Sequence, residues 1–173
     1  MKHSHPSPDA ASPGSYRRFA AMIATSTTAM FGLMYLNTFT LGHVYFSQTR
    51  MWMALYIGVA MAVIMLTFML GINANKTVNR AIFAGAALVF AGSLYLVRSQ
   101  ETVGDVAWMK AMVPHHSIAI MTSKRANLSD PRVRALADAI IAAQEAEIAE
   151  MEFYIADIEA NGVASAGTAR ADK

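Results

Sequence analysis

The stretch Met51-Trp-Met-Ala-Leu-Tyr-Ile-Gly-Val-Ala-Met-Ala-Val-Ile-Met-Leu-Thr-Phe-Met-Leu-Gly-Ile72 holds no Asp, Glu, Lys or Arg in 22 consecutive residues. A hydrocarbon core about 30 Å thick is crossed by ~20 apolar helical residues, so this run reads as a transmembrane helix. Two more charge-free runs lie outward from it, Phe19 to Leu41 on one side and Ala81 to Val97 on the other. They predict an all-α membrane protein with three transmembrane helices, at 19–41, 51–72 and 78–97, inside a membrane domain spanning 19–98. Composition agrees: 55% of the 173 residues are hydrophobic and 15% charged, too apolar for an ordinary soluble domain of this size. The first run is the most polar, with Thr25, Ser26, Thr27, Thr28, Asn37, Thr38 and Thr40, side chains that belong against other helices instead of lipid. No Ala-x-Ala pattern closes it and two further spans follow, which argues against a cleaved signal peptide.

Basic residues near the span ends predict the orientation. Lys2, Arg17, Arg18, Lys76 and Arg80 fall on one side of a three-span arrangement, and Arg50, Arg98 and Lys110 on the other. The excess marks the inside, so the N-terminus is expected in the cytoplasm of a bacterial inner membrane and everything after Arg98 in the periplasm. The tails 1–18 and 161–173, rich in Ser, Pro, Ala and Gly, are expected to be disordered. Zero cysteines leave no disulfide clue to compartment.

Beyond the membrane domain, residues 101–160 read as an extramembrane hairpin of two helices. The first runs from about Val103 to Ala126, with Pro114 inside it predicting a kink before two histidines. The second opens at Ser129-Asp130-Pro131, a cap followed by a proline at the first helical position, and closes at Asn161-Gly162. Its apolar stripe is Val133, Ala137, Ile140, Ile148, Met151, Ile155 and Ile158, interrupted by Gln144 with Glu147 beside it. About 60 residues in two helices bury too little to stand alone. A second copy of the hairpin, completing a four-helix bundle in a homo-oligomer, is the expected cover.

The chemistry of the chain is concentrated in residues 109–121. Met109, Met112 and Met121 supply thioethers, and His115 and His116 imidazoles. Soft sulfur selects monovalent copper or silver, and imidazole accepts either. Met109, Met112 and His116 stand three and four apart on one helical face, with His115 turned away yet three residues from Met112. On the second helix Met151 is a candidate completing ligand. Glu147 and Gln144 are expected outside the ligand set, Glu147 orienting an imidazole by taking its other proton. His43, Met51 and Met53, at the outer ends of spans one and two, form a candidate secondary metal contact. Against all this stands the plainer reading that methionines at helical spacing fill a core.

Met112-Val113-Pro114-His115-His116, with Ala119, Met121, Gln144, Glu147 and Met151, resembles the signature of the domain-of-unknown-function family 305. Tyr35-Leu36-Asn37 and His43-Val44-Tyr45-Phe46-Ser47-Gln48-Thr49-Arg50 are similar to members with an N-terminal membrane region. The resemblance covers about 101–158. It implies a ferritin-like helical arrangement and a periplasmic copper-binding protein of copper homeostasis or resistance, with a copper exporter or cuproprotein as partner.

Other functions find less support. No Glu-x-x-His pair of the ferritin-like oxidases, Gly-rich phosphate loop or cysteine nucleophile is present, so no enzyme is expected. A formal charge of +2 is no footprint for nucleic acid. The alternative is a copper(I) permease or relay, suggested by Met61, Met65 and Met69 in span two and Met30 and Met34 in span one, each repeating every four residues.

Overall fold

A computed structural model describes residues 13–71 and 75–164. Among these residues the chain is all helical, without a strand: α1 (Pro13–Leu33), α2 (Gln48–Phe68), α3 (Lys76–Ser99), α4 (Asp105–Arg125) and α5 (Pro131–Asn161), with a single 3-10 turn at Leu41–His43. Most of both tails, Lys2 included, lies outside the described residues. Residues 13–18, expected in the disordered tail, are instead the first turns of α1, entered through Pro13, whose fixed φ suits that position.

Two helices, α2 and α3, are long and apolar enough to cross a membrane, not three. The first run is the one that falls short. Its helix stops at Leu33, so the charge-free part of α1, Phe19 to Leu33, is 15 residues, below the ~20 a bilayer needs. The rest of that run leaves the helix, and there the Thr38 hydroxyl competes for the backbone, donating to the Tyr35 carbonyl at 3.0 Å.

The chain divides into two compact units. The first comprises residues up to Leu33 and Arg50–Gln100. Its core is Phe19, Ala62 and Leu66, packed by Ile23, Met65, Met69, Ile82 and Phe83. Gly58 lets α1 approach α2 closely, since a Cβ there would lie 2.4 Å from Thr27 Oγ1. The Tyr16 hydroxyl donates to Asn79 Oδ1 at 2.8 Å, satisfying a buried amide. Asn75 caps α3 by accepting the N–H groups of Thr77 and Val78, and Gln100 ends it in the left-handed region at φ 55°.

The second unit joins Met34–Thr49 to residues from Glu101 onward. Here α4 and α5 form the antiparallel hairpin. Met109, Val113 and Ile120 on α4 meet Ile148, Met151 and Ile155 on α5, spacings of three, four and seven that keep each set on one stripe. Each such side chain, fully buried, contributes about 1.5–3 kcal/mol. Asp130 caps α5 through the Arg132 N–H with Pro131 first in the helix, and Gly162 at φ 82° closes it. α4 runs unbroken through Pro114, which is buried. Val133 and Ile140, expected on the buried stripe, are exposed, as is Leu136.

Met34–Thr49 straps across this hairpin. Phe39 and Tyr45 pack on its core, and Ser117 Oγ, fully buried on α4, accepts the Phe39 N–H at 2.7 Å. The same oxygen is hydrogen-bonded to His43 Nδ1 at 2.9 Å. Inside the strap the Ser47 N–H donates to the Tyr35 hydroxyl at 3.0 Å, and the Lys124 ammonium lies 4.7 Å from the centre of the Phe39 ring.

Candidate metal centre

A cavity of about 380 Å³ opens between α4 and α5, lined by Trp108, Met109, His116, Glu147, Glu150, Met151 and Tyr154. The spacing of α4 puts Met109 and His116 two turns apart on nearly the same side. The antiparallel pairing then brings Met151 and Glu147, themselves one turn apart, against them. Met109 and Met151 are buried, and belong to the hairpin core as well as to the cavity lining. Lys110–Glu159 and Lys124–Glu145 ion pairs link the surfaces of the two helices at either end.

His116 Nδ1 lies 3.0 Å from Glu147 Oε2, close enough for an ion pair. The two atoms are not aligned as a hydrogen bond, and this buried nitrogen has no other partner among the described residues. Catalytic and binding-site hydrogen bonds are often loose before the ligand arrives and tighten with it. Burial pushes the His116 imidazole below its ordinary pKa; the Glu147 carboxylate pulls back upward and the neighbouring His115 adds to the lowering. The ring is therefore biased to the neutral form, the one with a lone pair for a metal. Gln144 Nε2 donates to Glu147 Oε2 at 3.3 Å, which steadies the carboxylate.

Of the expected ligands, Met109, His116 and Met151 share the cavity, with Glu147 beside the histidine as expected. Met112 lies on the turn between Met109 and His116 but packs against the core cluster. His115 is exposed, its ring 5.9 Å from that of His116, and Met121 does not line the cavity. Trp108, Glu150 and Tyr154 line it without having been expected. Trp108 adjoins Met109, and Glu150 and Tyr154 follow Glu147 at steps of three and four, so helical periodicity alone contains the signal.

Among the described residues no three His, Cys, Asp or Glu side chains gather as a metal-binding group. A site here depends on its thioethers, and that donor set fits a soft monovalent ion in preference to zinc or other borderline divalent ions. The secondary contact is divided between units: His43 belongs to the strap, where Ser117 holds it, and Met51 and Met53 belong to α2. Met65 and Met69 lie against the Phe19–Leu66 cluster, and Met34 is past the end of α1 that carries Met30.

The chain is 42% identical over 60 residues to "Uncharacterized protein L153" of Acanthamoeba polyphaga mimivirus, a match covering 34% of this chain and 40% of that protein. The chain thus matches well under half the length of that curated relative. No solved structure matches. Residues 95–170 match the family model described as "Domain of unknown function (DUF305)", and the match supports placing the hairpin domain in that family.

Proposed function

We propose that the hairpin holds copper(I), with silver(I) as an equivalent ion, through the sulfurs of Met109 and Met151 and an imidazole nitrogen of His116. The observation that carries this reading is their convergence on one cavity from two helices. Two thioethers and a neutral imidazole form a soft set, and the contact between His116 and Glu147 fits a carboxylate that orients the ring. The protein is then a membrane-anchored copper-binding protein of copper homeostasis or resistance, with α2 and α3 as its anchor. The resemblance noted above favours the periplasmic face, with an exporter or cuproprotein receiving the ion.

The test is chelator competition for cuprous ion on the full-length chain in detergent, under reducing conditions. The full chain is used because the strap is part of the hairpin unit. Saturable binding is expected, lost in Met109→Leu/Met151→Leu and in His116→Ala. Binding that survives all three substitutions sinks the reading.

The expected homodimer belongs to the same proposal. Val133, Leu136 and Ile140 stand three and four apart on α5 and are exposed, an apolar strip that a second hairpin covers in a four-helix bundle. Leu136→Lys with Ile140→Lys is expected to abolish cross-linked dimers in mild detergent. A chain that is monomeric before substitution counts against dimerisation.

A further inference from the structure

Three donors leave one side of the ion uncovered. Around the cavity the remaining side chains are Trp108, Glu147, Glu150 and Tyr154. Carboxylates are hard ligands that monovalent copper does not favour. The Tyr154 phenol is a hard oxygen donor as well, and the Glu150 carboxylate beside it holds its pKa above the ordinary value. What remains is an indole, next in sequence to the buried Met109 and itself half exposed, 51%, so that one part of it meets solvent while another lines the cavity. The face of a tryptophan ring carries negative potential and is the strongest aromatic partner for a cation.

We propose that Trp108 is a π lid over the monovalent ion, closing the fourth side with a ring in place of a fourth ligand. This rests on the metal reading above and specifies how the site is finished. A ring contributes attraction without a coordinate bond and excludes water from the open side. It favours a singly charged soft ion, because a ring face offers no lone pair to a divalent ion that seeks a further hard donor.

Only two tryptophans occur in the chain, Trp52 and Trp108, so Trp52→Phe isolates the lid spectroscopically. Silver(I) is titrated into that full-length variant in detergent, with affinity measured separately by chelator competition. Trp108 emission is expected to change saturably, in step with binding and ending at one equivalent. Trp108→Leu is expected to weaken silver binding about two- to fivefold, the worth of a partly exposed cation–π contact, and Trp108→Phe to restore part of it. Saturable competition with unchanged Trp108 emission overturns the lid while leaving the metal site standing. Absence of saturable competition in every form overturns the metal site and the lid together. The emission readout uses the native residue, so it decides even if a Trp108 variant fails to fold.

Discussion

At the scale of single residues, Glu147 separates two ways of building the site. It is 3.0 Å from His116 Nδ1 and tied to Gln144, and its side chain is half exposed, a poor position for an ion but a good one for steering a ring. If it orients His116, Glu147→Gln keeps the ring in place with a weaker acceptor, and copper(I) affinity drops by about 10-fold, the lower end of what such partners contribute. Loss of all binding in the competition assay would make Glu147 a ligand. The residue-level reading of the sequence reached Met109, His116, Met151 and Glu147 because periodicity within each helix and an antiparallel turn suffice to bring them together. It missed Trp108, Glu150 and Tyr154, and it gave Met112 and Met121 a role the cavity does not. Which members of a methionine-rich face reach a cavity and which pack a core depends on the register between two helices, and that is set by core contacts between α4 and α5 that are remote in sequence.

At the scale of elements, the strap from Met34 to Thr49 is where hydropathy misleads. Phe19 to Leu41 is uncharged throughout and reads as one span, but hydropathy does not register that Asn37, Thr38 and Thr40 favour local bonds over a helix. Nor does it show that the Phe39 N–H finds its acceptor 78 residues away, on Ser117. Ser117 is small, polar and fully buried between core residues of α4, and it accepts from the strap backbone while bonding His43. Ser117→Ala removes both contacts and strands a partly buried N–H, so it is expected to cost about 1–3 kcal/mol. The check is thermal unfolding of the full chain together with protease sensitivity at 34–49, and both are expected to move. Unfolding within about 0.5 kcal/mol of the parent, as for an ordinary surface change, would mean that the strap is held by Phe39 and Tyr45 packing alone. The hairpin itself was legible because its signals are local: Asp130-Pro131 starts α5, Gly162 ends it, and the stripe between them has a helical period.

At the scale of the molecule, the same strap constrains topology. Met34–Thr49 precedes α2 and the hairpin follows α3, yet the two pack as one unit through Phe39, Tyr45 and Ser117. Segments joined this way stand in one compartment, so α2 and α3, the two helices among the described residues long and apolar enough to cross a membrane, are expected to cross it as a pair. Gly71, just after α2, is then expected on the opposite face. Because the chain has no cysteine, single cysteines report without background. Phe46→Cys and Val163→Cys, both at exposed positions, are expected to react with an impermeant maleimide from the same side of sealed vesicles, and Gly71→Cys only from the other. Opposite labelling of Phe46→Cys and Val163→Cys would break the unit the strap and hairpin form. Like labelling of all three would remove α2 and α3 as crossings and with them the anchor on which a membrane-bound copper site depends.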